Sequence, residues 1–108
     1  MVMRVVYATY PSLAQAEAAG RRIVGARLAA CANILPSMVS IYQWEGAMER
    51  AEEVVLLLKT TPELASGVVE AVRADHPYEV PAVFILPVEG GNPAFLDWIA
   101  AETVAHSA

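Results

Sequence analysis

Three stretches of this chain are apolar at every position instead of every second one: Val5-Val6-Tyr7-Ala8, Val54-Val55-Leu56-Leu57-Leu58 and Val83-Phe84-Ile85-Leu86. Their β-branched and aromatic residues favour strands, and a strand that is apolar throughout must be covered on both faces. Only two amphipathic helical stretches lie between them, enough for one face of a sheet. A last helical stretch can hide a little of the second face, and another copy of the chain can hide all of it. The pattern predicts an obligate homo-oligomer packed sheet to sheet.

The order of elements follows from punctuation along the chain. A first strand, Val5 to Thr9, ends at Tyr10-Pro11, and Ser12 with Gln15 forms a capping box for a helix. Leu13, Ala16, Gly20, Ile23 and Val24 make its apolar stripe, and the helix is expected to end near Leu28. Gly20 costs about 1 kcal/mol against alanine inside a helix, which implies close approach to a neighbour. Cys31 to Trp44 reads as a long strand broken at Pro36-Ser37, where proline cannot donate to a ladder. Glu45-Gly46 is a turn, and a return strand runs from Glu52 to Thr60.

Thr61-Pro62-Glu63 opens a second helix with Leu64, Val68, Ala71 and Val72 on its buried stripe. His76-Pro77 stops it, Ala82 to Val88 is a fourth strand, and Asn92-Pro93 caps a last helix carrying Phe95, Leu96, Trp98 and Ile99. The result is one α+β domain over residues 1–108. Interlocked β-α-β units of this order give a ferredoxin-like β-α-β-β-α-β antiparallel sheet with both helices on one face, extended by a C-terminal helix.

Composition excludes several classes of partner. The net charge is −5 at pH 7, and no basic stripe carries interleaved aromatics, which argues against nucleic acid and anionic membrane. No apolar run approaches the length of a membrane span. A single cysteine, Cys31, precludes an internal disulfide framework and fits a reducing compartment. With no signal-peptide pattern at the start, a cytoplasmic protein is expected. Hydrophobic residues reach 56%, a surplus that again points to surface buried by a partner. The chain lacks a glycine-rich phosphate loop, a nucleophile elbow and a paired His-Cys spacing, so no enzymatic activity is expected.

The densest motif is His76-Pro77-Tyr78-Glu79-Val80-Pro81, polar groups on a connector stiffened by two prolines. It occurs in order with Cys31-Ala32-Asn33-Ile34, Ser40-Ile41-Tyr42-Gln43-Trp44-Glu45-Gly46, Leu58-Lys59-Thr60-Thr61 and Leu96-Asp97-Trp98-Ile99. Together these segments resemble the CutA family of divalent-cation-tolerance proteins, over nearly the whole chain. The resemblance implies a compact homotrimer of ferredoxin-like subunits, similar in architecture to PII signalling proteins. It also implies a part in tolerance of copper and other divalent ions, with metal bound by some members and no enzymatic reaction established. Copper ligation in one bacterial branch uses cysteines at positions that match Ala8 and Ala71 here, and the acid common after Val80-Pro81 is Ala82. The resemblance therefore does not carry a thiolate copper site onto this chain.

Candidate site residues follow from chemistry and resemblance together. No cofactor is required; the expected ligand is a divalent ion, Cu or Zn. His76 with Asp75 and Glu79 offers an imidazole and carboxylates to such an ion; the alternative is a histidine bonded to the last carbonyls of its helix. Cys31 is the one soft ligand, or a small buried hydrophobe. His106 lies in the tail, where any metal it binds would be incidental. Tyr42 and Trp44 share a strand face of core or interface character. Lys59 either caps its strand or enters a cleft between subunits, where it could meet Tyr78 and Glu79 around an anion or small molecule.

Overall fold

The computed structural model describes residues 3–104. Seven elements follow in the expected order: β1 (Met3–Tyr10), α1 (Leu13–Gly25), β2 (Cys31–Trp44), β3 (Ala47–Thr60), α2 (Ala65–Asp75), β4 (Val83–Val88) and α3 (Pro93–Glu102). The strands form one antiparallel sheet in the order β2-β3-β1-β4, as the ferredoxin-like arrangement requires.

Alternation divides the sheet into two apolar faces. Val6, Ala8, Tyr10, Leu56 and Leu58 pack with Ala16, Ala19, Ile23, Val68 and Val72 of α1 and α2 in the main core. The residues between them point the other way. Tyr7 pairs across to Phe84 and Leu57, and Val5 to Leu86 and Lys59. Partners directly opposite share a face, so these side chains line the face away from α1 and α2. α3 covers one end of it: Ile99 packs with Met3 and Ala30, flanked by Val88 and Leu96. Elsewhere that face stays open, with Phe84 49% and Leu86 41% exposed.

Gly20 lies where α1 crosses the sheet most closely. A Cβ there would stand 3.2 Å from the Ala32 Cβ and 3.5 Å from Leu56 Cδ1, which explains a glycine inside the helix. The buried stripe of α1 is Ala16, Ala19, Gly20 and Ile23; Leu13, expected in it, stands half-exposed at the helix start. The Ser12 hydroxyl accepts from the Gln15 amide as expected. In return it donates to the Gln15 side-chain oxygen, so Gln15 bonds the hydroxyl rather than the backbone.

Several boundaries differ from those read in the sequence. The Pro36-Ser37 break is a register irregularity between Leu35 and Met38, and pairing resumes beyond it. The return strand starts at Ala47, not Glu52, because Glu45 (φ 49°) and Gly46 (φ 83°) close a two-residue turn that pairs Trp44 with Ala47 directly. β1 pairs with β3 only from Val54 onward. Residues 38–53 therefore form a two-stranded arm beyond the four-stranded sheet, and the molecule measures 45 × 25 × 23 Å.

α2 begins at Ala65, after a turn in which Leu64 and Ala65 amides donate to the Thr61 carbonyl. α1 ends at Gly25, short of Leu28. There the Arg27 amide donates to the Val24 carbonyl and the Leu28 amide to Ile23, the paired bonds of a Schellman motif. Its left-handed position is held by Arg27, at φ 60°.

Candidate functional site

The loop between α2 and β4 holds the histidine motif against the edge of β1. β4 starts at Val83, so its ladder along β1 ends with Ala8 opposite Val83. One residue further, the Thr9 amide donates to the Ala82 carbonyl at 3.2 Å. Its carbonyl needs a donor on the same side, and the His76 ring supplies one: Nε2 lies 2.7 Å from the Thr9 oxygen. The other ring nitrogen, Nδ1, accepts from the Tyr78 amide at 3.1 Å. A carbonyl can only accept and an amide can only donate, so these partners fix the neutral tautomer with hydrogen on Nε2. Below the ring lies Tyr10, stacked at 4.5 Å between centroids, and Tyr78 stands beside it at 5.1 Å.

His76 therefore does not take the helix-end role that was the alternative read from sequence. It does not bond the last carbonyls of its own helix; it completes the hydrogen bonding of β1 where two prolines stiffen the connector. A metal ion would have to displace the Thr9 carbonyl or the Tyr78 amide to reach either nitrogen. Glu79 is exposed at the loop surface. Asp75 pairs instead with Arg22 at 3.2 Å, and the same guanidinium donates to the Ala71 carbonyl at 2.9 Å, which ties α1 to the C-terminal turn of α2. Arg22 and Asp75 also lie near the Tyr10 hydroxyl, which is buried without a hydrogen-bond partner among the described residues. Burial pushes its pKa up; the Arg22 charge opposes the shift and the Asp75 charge adds to it.

Cys31 does not share this site. It pairs with Lys59 at the far end of β3, level with Val5 on β1, whereas His76 reaches Thr9, four residues or ~13 Å along the strand. Among the described residues no three His, Cys, Asp or Glu side chains form a group able to hold a metal ion. Ala8 is fully buried in the core, and Ala71 packs against it. His106 lies outside the described residues.

The remaining candidates split between two places. Tyr42 and Trp44 stand exposed on one face of the arm, paired with Glu49 and Ala47. Tyr78 has a raised pKa, first from burial, then from the negative charge of Glu53 and from Tyr42. Lys59 is elsewhere: its ammonium lies 5.4 Å from the centre of the Phe95 ring of α3. Within one chain Lys59 does not converge with Tyr78 and Glu79. No local pattern signals the Arg22 and Arg27 contacts, because both link residues more than 45 positions apart.

A four-stranded antiparallel sheet with α1 and α2 on one face, a largely uncovered apolar second face and a projecting two-stranded arm defines a ferredoxin-like α+β domain. Residues 4–102 match the family described as CutA1 divalent ion tolerance protein. The divalent-cation tolerance protein CutA of Thermus thermophilus is 42% identical over 99 residues, covering 92% of this chain and 96% of the relative. The structure of the Cut A1 protein from the same organism superposes with a TM-score of 0.90, over 94% of this chain and 99% of that one. Oryza sativa CutA1 gives 0.93 at 37% identity, over 99% and 97%. Mouse protein CutA is 43% identical over 94% of this chain, which spans 58% of the mouse protein's length. The chain belongs to the CutA1 divalent ion tolerance family. That family is described by divalent ion tolerance. No helix among the described residues is long and apolar enough to cross a membrane.

Proposed function

We propose that this chain is one subunit of a homotrimeric divalent-cation-tolerance protein that works in the cytoplasmic response to metal ions such as copper. The observation that carries the assembly is the pair of exposed apolar surfaces. The open sheet face carries Phe84 and Leu86, and the arm exposes Val39, Ile41, Trp44 and Met48. A two-stranded ribbon is marginal in water by itself, and this one is apolar on both sides, with Ile41 and Trp44 on opposite faces. Neighbouring copies are the covering that the resemblance to CutA implies. Sedimentation at micromolar protein should show one species of three times the 11.6 kDa chain mass. A monomer at that concentration refutes the reading.

Metal binding through these residues is weak, because His76, Glu79 and Cys31 are not gathered around one point. The free thiol of Cys31 is consistent with a reducing compartment. Calorimetric titration with Cu²⁺ and Zn²⁺ tests the metal role: equal heats for wild type and His76→Ala remove His76 from it.

A second reading, a PII-like anion or small-molecule site, is favoured by one observation. Lys59 and Tyr78 sit at opposite ends of one sheet, so adjacent copies could place one subunit's lysine beside another's Tyr42, Trp44 and Tyr78. Thermal shifts with nucleotides that vanish in Lys59→Ala would support it; no shift with any anion would exclude it.

A further inference from the structure

We propose that α3 is a hinged lid over the Lys59 end of the open sheet face, and that Arg27 is the latch that holds it shut. Three independent features meet in this helix. Its attachment is slight: Ile99 is the only buried residue within α3, against four in α1 and three in α2. Its start is self-contained, with Pro93 in the first turn and the Asn92 side chain accepting from the Ala94 amide. The connection to β4 passes through Gly90-Gly91, and a side chain at Gly90 would meet nothing within 4 Å. Such a joint can absorb large backbone rotations.

The C-terminal end is where the helix is fastened. The last four carbonyls of a helix have no partner inside it. The Thr103 hydroxyl serves those of Ile99 and Ala100, each at 3.1 Å. The other two are served across the chain: Arg27 Nη2 donates to Ala101 at 3.1 Å and Nε to Glu102 at 3.2 Å. The Val104 amide donates to the Arg27 carbonyl at 2.8 Å, which closes the clasp. A cation at this position also meets the negative end of the helix dipole. Arg27 does this from a left-handed backbone position, φ 60°, where glycine is the usual residue. A side chain kept there at a conformational cost is explained by the guanidinium's two bonds to α3. Lys59, half-buried, lies against the lid, its ammonium 5.4 Å from the centre of the Phe95 ring. It is the single lysine of the chain, so opening α3 would free the one ammonium on this face for an anion.

Hydrogen exchange on the assembled protein, followed by mass spectrometry, tests both parts in wild type, Arg27→Ala and Arg27→Gly. The glycine variant relieves the left-handed strain while deleting the latch, so it should fold at least as well. α3 amides should exchange together and faster than those of α1 and α2, and about tenfold faster again in both variants, the effect of losing charge-assisted bonds at an exposed site. Acylation of Lys59 should accelerate in parallel. Exchange of α3 at the rate of α1 and α2 overturns the lid. Unchanged α3 exchange in Arg27→Gly overturns the latch, and unchanged Lys59 acylation beside faster α3 exchange overturns the covering of Lys59.

Discussion

Replacing His76 by alanine should destabilise the metal-free protein, which a purely metal-binding histidine would not do. The ring makes two hydrogen bonds to backbone, to the Thr9 carbonyl and from the Tyr78 amide, and stacks on the buried Tyr10. Each hydrogen bond contributes about 1 kcal/mol net, and leaving the Thr9 carbonyl without a donor adds about 1 kcal/mol more. The lost stack contributes about 1 kcal/mol. Water entering the gap recovers part of this, so the expected loss is about 3 kcal/mol. Urea denaturation of wild type and His76→Ala, at equal protomer concentration and with a chelator present, measures it directly. Fixed concentration matters because assembly of the proposed trimer would be linked to folding. His76→Gln, whose amide can offer both a donor and an acceptor, should recover part of the loss. If His76→Ala in chelator unfolds within about 0.5 kcal/mol of wild type, a range typical of neutral surface changes, the ring has no structural role and ligand binding becomes its better explanation.

Other parts of the molecule give outcomes that can be checked in the same way. Tyr10→Phe removes a buried hydroxyl that has no protein partner and should be neutral or stabilising by about 1 kcal/mol in thermal unfolding; a loss above 1 kcal/mol would mean the hydroxyl is hydrogen-bonded in solution. Because the Tyr10 pKa is raised on folding, the folded state holds its proton more tightly. Stability from this group is intact below the ordinary tyrosine value near 10 and falls as pH rises above it, and Tyr10→Phe should flatten that alkaline fall. Gly20→Ala brings a Cβ to 3.2 Å from the Ala32 Cβ, which is fixed to backbone. An overpacking cost of about 1–3 kcal/mol outweighs about 1 kcal/mol of helix propensity, so urea unfolding should show a net loss, and a gain would mean that α1 can retreat from the sheet. Ile41→Glu, on the exposed arm, should lower the sedimentation mass at micromolar protein, and an unchanged mass would show that this arm face is free in the assembly.

The fold was legible because its signals are local. The Ser12 cap, the Glu45-Gly46 turn and the unbroken apolar strands each depend on residues close in sequence, and all appear where the pattern puts them. The boundaries that moved did so for non-local reasons. Ala47 to Ala51 have little strand preference of their own, and they pair because the tight turn sets them opposite β2. Arg27 could not be recognised as a helix end, since the guanidinium that favours it there reaches α3, more than 70 residues on.

The site residues were legible by their chemistry, but their placement in the fold was not. Imidazole, carboxylate and thiol are the ligand vocabulary of metal sites, so His76, Glu79 and Cys31 were grouped by chemistry. What sequence could not supply was the demand of the backbone: the Thr9 carbonyl lacks a strand donor only because β4 begins at Val83. A histidine between a carbonyl and an amide has both nitrogens spent before any ion arrives. For a family described by divalent ion tolerance, that moves the question of ion binding in this chain away from the loop. In the proposed trimer, donors from different subunits would meet on shared surfaces, so metal affinity has to be measured at a protein concentration where assembly is tested alongside it.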